Sequence, residues 1–383
     1  MRSAIVVGAG IGGLAAAVAL QSLGWRVRVR EKAAALAEVG AGLTVSPNAA
    51  RALLHLGVYE RVRPWLSLPP YQVSEDPVSG RETGRYVRGE TTLERYGAPY
   101  AFVHRADLHR ALADAVAAHD PQAVATGRAC IGVEAAGPAP RVRYADGSAE
   151  SADLVVGADG IRSAVRAALH GEAAPRYTGF TAWRGLLPLE AVPAAAVPAG
   201  SAIAWGVGRC FVRYRVEPRG VLNYVAFARQ ADWTEEGWTV PADPEVPARA
   251  FDAWHPALSA CLRATPRERC FQWGLFDREP LPSYVRERVA LLGDAAHPML
   301  PFLGQGAALA LEDAVVLQRV LAADADLEAA LARYDAARRP RGTAAQLESR
   351  AAGERLHGAG ADPATRNEET LDYFAYDAGT VAV

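Results

Sequence analysis

An acidic side chain and a glycine-rich helix start lie close together in the stretch that leads up to residue 321. Asp294 follows the apolar run 289–292, which is typical of a buried strand, and a side chain at such a strand end projects into a crevice. Two prolines then stiffen the connection, and the sequence Gly-Gln-Gly at 304–306 opens an apolar helix expected over 307–321. Bare backbone N–H groups and the positive end of the helix dipole favour an anion or an electron-rich ring here.

A second glycine-rich turn follows the first apolar run of the chain. The run 4–7 leads into the pattern GxGxxG, formed by Gly8, Gly10 and Gly13, and helical sequence and a second strand-like run come next. In this setting the glycines allow a tight turn, the close approach of a pyrophosphate and close helix packing. Glu31, at the end of the second run, can accept hydrogen bonds from a ribose. The motif predicts a dinucleotide site, but by itself it does not distinguish NAD from FAD.

The composition bounds the class of protein. The 383 residues are 50% hydrophobic, which is enough for a large core and for two or three lobes. The net charge of −2 gives no indication of binding to nucleic acid or to an anionic membrane. Lys32 is the only lysine, and the four cysteines contain no CxxC pair, so neither a disulfide framework nor a metal site is expected. Because no signal-like segment or long apolar run is present, we expect a soluble cytoplasmic protein.

The sequence changes in character between residues 177 and 278. Short runs of alternating apolar and polar residues are separated by glycines and prolines, a pattern that predicts an antiparallel sheet. Six of the eight tryptophans lie in this part of the chain. An aromatic-rich sheet of this kind suits a planar apolar ligand, although ordinary sheet core explains most of these side chains equally well.

Three separated motifs together resemble those of one family. They are the stretch GDAAHPMLPFLGQGAALALEDA at 293–314, the stretch GADGIRSAVR at 157–166 and the N-terminal GxGxxG. In type and order they are similar to the motifs of single-component FAD-dependent aromatic hydroxylases, the salicylate and p-hydroxybenzoate hydroxylase type, and HRADL at 104–108 matches a further signature. The resemblance implies an α/β fold with a Rossmann-like FAD-binding lobe, an inserted antiparallel β-sheet substrate lobe and C-terminal helices.

The resemblance also implies roles toward FAD. Asp294 would hold the ribityl chain, the amides at 305–307 would face the pyrimidine edge of the flavin, and Asp159 would support the pyrophosphate region. A helix start at that edge suits the negative charge of a reduced flavin. Arg105 would reach FAD or remain a surface charge, and Cys130 would flank the adenine through its backbone, with an inert thiol. The residues expected to bind FAD are Gly8, Gly10, Ile11, Gly13, Glu31, Lys32, Gly42, Arg105, Cys130, Asp159, Asp294, Gln305, Gly306 and Ala307.

Five side chains are candidates for the substrate side. Period-two alternation places Arg213 and Tyr214 on opposite faces of a strand. Arg213 could clamp a substrate carboxylate or lie in solvent, and Tyr214 could hydrogen-bond a substrate hydroxyl or simply pack. Arg184 could brace the site. Thr44 lies near the position of a histidine in some relatives, and Phe302 replaces a polar residue of several others, so we expect an apolar pocket without a histidine base.

The resemblance divides the chain into segments that alternate between two lobes. The FAD-binding lobe is expected to comprise residues 1–70, 101–175 and 281–322. The remaining parts are a substrate-side segment at 71–100, a β-sheet substrate domain at 176–280 and a C-terminal helical segment at 323–383. Irregular chain is expected over 60–100, and two helices are expected between 323 and 355.

Two capping assignments follow from local spacing. Pro47 and Asn48 are expected to cap a helix over 49–56. Asp107 is expected to cap the helix that begins within HRADL.

The implied reaction is hydroxylation of an aromatic substrate, with an aromatic acid or a heteroaromatic ring as the expected class. In the resembled family NADH or NADPH reduces FAD transiently, molecular oxygen adds at the flavin C4a atom, and the hydroperoxide transfers OH to the ring. Two alternatives stay open: a tailoring epoxidase or hydroxylase that acts on a larger apolar natural product, and a flavoprotein that binds FAD without turnover as a redox sensor. The chain is expected to be a monomer or a homodimer.

Overall fold

The chain forms a parallel-sheet lobe and an antiparallel-sheet lobe in a computed structural model that describes residues 1–36, 41–137, 139–233, 240–355 and 369–383. Val39, Gly40 and Trp238, which belong to stretches discussed above, lie outside the described residues. The strands of the described part are β1 Ser3–Val7, β2 Arg26–Arg30, β3 Gly42–Val45, β4 Tyr71–Glu75, β5 Glu82–Val87, β6 Ala101–His104, β7 Val124–Ala125, β8 Cys130–Glu134, β9 Arg141–Tyr144, β10 Ala149–Ser151, β11 Leu154–Gly157, β12 Arg176–Pro188, β13 Ser201–Gly206, β14 Arg209–Val216, β15 Val221–Arg229, β16 Val240–Pro241, β17 Phe271–Asp277, β18 Val285–Arg286 and β19 Val289–Leu291. The α-helices are α1 Ile11–Ser22, α2 Pro47–His55, α3 Tyr59–Val62, α4 Gly89–Tyr96, α5 Arg105–His119, α6 Ala164–His170, α7 Glu245–Ala250, α8 Pro256–Arg263, α9 Gly306–Ala323 and α10 Leu327–Arg355.

A six-stranded sheet in the order β18-β19-β11-β1-β2-β7 forms the centre of the first lobe. All of its neighbouring strands are parallel except β18 and β19. Helix α1 packs against both the sheet and α9. Gly12 permits that packing, because a Cβ at this position would lie 2.8 Å from Leu292 Cδ1. Since β1, β11 and β19 are adjacent and parallel, the turns that follow them meet at one edge of the sheet.

An eight-stranded sheet in the order β16-β17-β12-β15-β14-β13-β4-β5 forms the second lobe. Its strands pair antiparallel except β13 with β4. We call the face that carries Phe180, Phe227 and Trp273 and contacts Leu300 the front face. We call the face that carries Trp183, Phe211 and Tyr224 the back face; it packs against side chains of α7 and α8. The expected fold class, an α/β lobe with an inserted antiparallel sheet, is confirmed.

Two segments differ from the sequence-based expectation. Residues 71–96 are not irregular: β4 and β5 add two strands to the edge of the eight-stranded sheet, and α4 follows. The expectation of two helices between 323 and 355 was also wrong, because α10 runs unbroken through Pro340. Arg338 is fully buried on one side of this proline, and Gly342 packs against Tyr284 and His297 on the other. These contacts hold the helix continuous despite the hydrogen bond that a proline removes.

Both capping assignments are corrected. The imidazole of His104 caps α5 by accepting from Ala106 N. Asp107 instead accepts from Arg219 at 2.6 and 3.0 Å, an ion pair that ties α5 to the turn between β14 and β15. Ser46 is the N-cap residue of α2, and Asn48 directs its side chain toward α9.

Within the described ranges, none of the helices combines the length and the apolar character that crossing a membrane requires. The same residues contain no group of three or more His, Cys, Asp or Glu side chains placed to hold a metal ion.

Candidate active site

A cleft of about 260 Å³ opens where the turns after β11 and β19 meet the eight-stranded sheet. One wall contains Asp159 and Asp294, each of which follows a strand of the parallel sheet. The opposite wall contains residues 273–276 of β17, and residues 298–301 close one end. Lys32 also lines the cleft. Two sequence motifs that are far apart in the chain therefore face an aromatic strand across a single cavity.

The turn after β1 has the geometry of a phosphate cradle. Gly8 has φ +101°, and a Cβ there would lie 2.5 Å from Ala158 O, so only glycine fits. A Cβ on Gly13 would lie 1.9 Å from Gly8 O. Gly10 differs, because no heavy atom of the described residues comes within 4 Å of a Cβ built on it. The backbone at Gly10 therefore borders open space at the start of α1, where the dipole favours a negative group.

Glu31 is bound to the same turn. Its carboxylate accepts from Ala9 N at 2.8 Å and from Ala33 N at 2.8 Å, one bond to each oxygen. Each oxygen keeps a second lone pair for a hydroxyl donor. His109 Nε2 lies 2.7 Å from Ala9 O and attaches α5 to the loop. The first turn of α1 is thus held in place from two sides.

Asp294 lines the cleft together with Asp159. It is exposed to the cavity, yet the protein atoms around it desolvate the carboxylate and raise its pKa above the ordinary value. The charges of His297 and Arg105 oppose this shift. Arg105, at the start of α5, thus influences Asp294 through its charge, and its contact with FAD stays a prediction. A carboxylate with few donors beside an open cavity fits a hydroxyl-bearing ligand such as a ribityl chain.

Asp159 lines the same cleft, and Cys130 lies close enough to be influenced by its charge. Asp159 accepts from Ser163 Oγ and from Ala164 N at 2.7 Å, so it orders the start of α6. Burial raises its pKa. Burial also raises the pKa of the Cys130 thiol to about 11, and the thiol donates weakly to Gly132 O at 3.6 Å. The thiol is therefore unreactive at neutral pH, as the sequence analysis expected.

The start of α9 is fixed by side chains from the N-cap and the first turn of α2. Gln305 is the N-cap residue and is buried; its side chain accepts from Asn48 Nδ2 at 2.9 Å and donates to Ser46 Oγ at 3.2 Å. Gly306 and Ala307 follow and are partly exposed. Their backbone N–H groups belong to the first helical turn, which has no acceptor within the helix. Thr44 is adjacent, since a Cβ on Gly304 would lie 3.5 Å from Thr44 Oγ1.

Aromatic rings form the front-face side of the site. The ring centroid of Phe302 lies 5.3 Å from that of Phe227 and 6.1 Å from that of Phe180. The Arg184 guanidinium lies 5.2 Å from the Trp273 centroid, which places it on the same face. Phe302 therefore packs with the aromatic residues of the front face, and its place in a substrate pocket stays a prediction.

Arg213 requires a correction. It alternates with Tyr214 as expected, but it occupies the back face, next to Phe211 in the packing against α7 and α8. It is 4% exposed, donates to Ala196 O at 2.7 Å and pairs with Glu75 at 2.8 Å. The sheet therefore separates its guanidinium from the cleft. Arg213 is not placed to clamp a substrate.

Tyr214 occupies the front face as a packed side chain. Its ring stacks on Phe102 with centroids 3.8 Å apart. Burial raises its pKa well above 10, so the hydroxyl stays protonated at neutral pH. A Cβ on Gly42 would lie 2.5 Å from this hydroxyl, and Gly42 N donates to Asn223 Oδ1 at 2.7 Å. Glycine at position 42 thus lets β3 pack against the sheet lobe.

One functional feature was missed by sequence reasoning. Glu312 and Asp313 lie within the apolar helix α9 and are fully buried. Arg338 donates to both, and Arg341 donates to Glu312. The signal was present: two adjacent acids inside an apolar helix must meet buried cations. The sequence could not indicate which arginines these were.

The similarity to known proteins extends over nearly the whole chain. The sequence profile described as FAD binding domain matches residues 1–349. A 3-amino-4-hydroxybenzoate 2-monooxygenase of Streptomyces platensis is 37% identical over 355 residues, which are 92% of this chain and 88% of that protein. A 6-hydroxynicotinate 3-monooxygenase of Bordetella bronchiseptica is 35% identical over 317 residues, 82% of this chain and 81% of that protein. The crystal structure of Klebsiella pneumoniae HpxO complexed with FAD and uric acid superposes with a TM-score of 0.86 at 29% identity, covering 98% of this chain and 95% of that chain.

Proposed function

Since the chain belongs to the FAD binding domain family and is, like its curated relatives, a flavin-dependent monooxygenase, we propose that it hydroxylates a planar aromatic substrate held between the cleft and the front face. Those relatives are named for hydroxylating an aminohydroxybenzoate and a hydroxynicotinate, both ring acids. FAD, once bound and reduced, supplies the oxygen-activating chemistry. The residues of this chain bind it, orient the substrate and exclude water.

The cleft, the turn after β1 and the start of α9 together offer a suitable group for each part of the cofactor. The open space at Gly10 accommodates the pyrophosphate, and Glu31 accepts from the adenosine ribose. Asp294 accepts from ribityl hydroxyls, which are the donors that its desolvated carboxylate lacks. The first-turn amides of Gly306 and Ala307 would hold the electron-accepting edge of the flavin ring, because the dipole at the start of α9 would stabilise negative charge there without reorganisation. We propose the same FAD-binding role for the other residues that the sequence analysis predicted to bind the cofactor.

The front face determines which substrates fit. Phe180, Phe227 and Phe302 form an apolar wall against which a ring can pack edge-to-face. Because Arg213 lies behind the sheet, Arg184 takes the role of the cation that orients a carboxylate or phenolate substituent. Tyr214 is protonated and packed, so it positions β3 and does not act as a base. Thr44 lies next to Gly304, just before the start of α9, and would border the flavin ring there.

NADH or NADPH is proposed to reduce the cofactor through transient contact, because the one GxGxxG turn of the sequence serves FAD. The segment boundaries are likewise proposed as given above. The FAD lobe comprises 1–70, 101–175 and 281–322, and the substrate lobe comprises 71–100 and 176–280.

The observation that carries this proposal is the single cavity walled by Asp159 and Asp294 on one side and by β17 on the other. Purified protein is saturated with FAD, and NADH and NADPH oxidation is followed with a panel of aromatic carboxylates and bicyclic heteroaromatic compounds. At least one compound should stimulate oxidation and give a product that carries one atom from ¹⁸O₂, detected by mass spectrometry. Stimulated oxidation that yields only hydrogen peroxide for every compound, or no stimulation at all, would contradict the proposal.

A further inference from the structure

Two adjacent carboxylates of α9 lie beneath the cleft without lining it. Glu312 and Asp313 are both fully buried, and so is Arg338 of α10, which donates to Asp313 Oδ1 at 2.6 Å and to Glu312 Oε2 at 2.8 Å. Burying such a cluster costs free energy that an apolar helix face would avoid. Because of this cost, we expect the two carboxylates to hold segments of the chain in a defined geometry. The contacts of each carboxylate identify those segments.

Asp313 holds both ends of the turn that carries Asp294. Its Oδ2 accepts from Gly293 N at 2.9 Å and from His297 Nε2 at 2.7 Å, the residues that flank the turn. Gly293 has φ +57°, and a Cβ on it would lie 3.2 Å from Ala310 Cβ. The turn therefore lies directly on α9 at the level of Ala310. The two hydrogen bonds to Asp313 Oδ2 hold the turn at a fixed distance from α9 and in a fixed orientation.

Glu312 holds the start of α9. Its Oε1 accepts from Asn48 Nδ2 at 2.7 Å, and the same amide donates to Gln305 Oε1 at 2.9 Å. Arg341 donates to both oxygens of Glu312 at 2.7 and 2.8 Å. This arm reaches Gln305, the N-cap residue of α9, and the β3–α2 junction, whereas Asp313 holds the turn at 293–297. The two neighbouring acids thus serve two different segments.

We propose that Asp313 is a positioning residue for the flavin: from below the cleft its carboxylate sets the distance between Asp294 and the first turn of α9. The inference rests on the proposed function, in which Asp294 binds the ribityl chain and the helix start faces the ring. Asp313 touches neither cofactor nor substrate. It acts through Asp294, and its contribution should therefore disappear when Asp294 can no longer bind.

A double-mutant cycle on FAD affinity tests this coupling. Asp313→Asn keeps the shape of the side chain but removes its charge, and Asp294→Asn does the same at the cleft. Apoprotein of the wild type, both single variants and the double variant is titrated with FAD, with flavin fluorescence quenching as the readout. We expect Asp313→Asn to raise the Kd for FAD on the order of tenfold in the wild-type background. In the Asp294→Asn background we expect less than about threefold.

The matched control is Glu75→Gln, which breaks a buried ion pair of the other lobe. It should lower the melting temperature without changing the Kd for FAD. Equal Kd ratios for Asp313→Asn in the two backgrounds, or a lower melting temperature with an unchanged Kd, would overturn the inference and leave Asp313 a structural residue. Wild-type protein that fails to bind FAD would instead overturn the proposed function.

A second variant covers the case in which Asp313→Asn does not fold. His297→Leu removes one donor to Asp313 Oδ2 and leaves the Asp313–Arg338 ion pair intact. It should raise the Kd for FAD about threefold, again with a smaller effect in the Asp294→Asn background. A Kd equal to that of the wild type would contradict the inference.

Discussion

Arg213 and Glu75 form an ion pair on the back face of the eight-stranded sheet, with Arg213 Nη2 2.8 Å from Glu75 Oε2. The pair spans β13 and joins β14 to β4. It therefore secures the two edge strands contributed by the segment 71–100. The ion pair also explains why Arg213 has a structural role, although its position beside aromatic residues in the sequence was compatible with a substrate clamp.

Replacing Arg213 with methionine should destabilise the protein without affecting substrate affinity. Glu75 would remain largely buried without its cation, at a cost on the order of 3 kcal/mol. Urea denaturation should show a lower free energy of unfolding, whereas the KM for a carboxylated substrate should stay at the wild-type value. A KM that rises for carboxylated but not for neutral substrates would show that Arg213 binds the substrate carboxylate and would contradict its assignment as a structural residue.

Replacing Gly10 with valine should separate folding from cofactor binding. The backbone conformation at Gly10 is open to any residue, and the added side chain would extend into space free of the described atoms. The apoprotein should keep its melting temperature, and FAD binding should fall by at least about a hundredfold because the side chain occupies the pyrophosphate path. Gly84→Ala, in the edge strand β5, is the matched control and should bind FAD normally. Normal FAD binding by Gly10→Val would show that the cofactor does not pass this turn.

Replacing Phe302 with leucine should change the size preference of the site. The Phe302 ring is half-buried between Phe180 and Phe227, so its loss opens space on the front face at a cost of about 1–2 kcal/mol in stability. The ratio of kcat/KM for bicyclic over monocyclic substrates should rise several-fold. Phe251→Leu, fully buried on the back face, provides the comparison: it should lower stability and leave the ratio unchanged. Equal ratios in the wild type and Phe302→Leu would remove Phe302 from the substrate wall.

Glu312 should make stability depend on pH in acid. Burial alone raises the pKa of Glu312, but Arg341, Arg338 and the hydrogen bonds outweigh it, so the pKa lies below the usual value. A depressed pKa contributes stability that is complete above the pKa of the unfolded chain, about 4.3, and is lost as the pH falls through the folded value. Glu312→Gln should therefore be less stable than the wild type at pH 7, and its stability should fall less steeply below about pH 5.

Urea denaturation of both proteins at a series of pH values between 7 and 3.5 measures this difference. Parallel curves throughout the range would mean that Glu312 has the same pKa in the folded and the unfolded chain. The ion pair with Arg338 and Arg341 would then contribute no pH-dependent stability.

The sequence determined the features that depend on near neighbours. Gly8 and Gly13 could be assigned from the local motif, since Gly8 has φ +101° and a Cβ on Gly13 would lie 1.9 Å from Gly8 O. The strand before Asp294 and the helix after residue 305 could likewise be predicted from local sequence, because burial on all sides requires a continuous apolar sequence. Period-two alternation correctly separated Arg213 from Tyr214.

Tertiary structure decided what those elements face. Alternation says that two side chains point in opposite directions, but only the packing of α7 and α8 shows that Arg213 is on the covered side. The partners of Asp107, Asn48 and Asp313 come from distant parts of the chain, and no local preference encodes them. The continuity of α10 through Pro340 follows the same rule, because buried contacts outweigh the local cost of a missing hydrogen bond. Pairing between remote charges and the choice of sheet face are properties of the assembled core, which is why they could be seen only there.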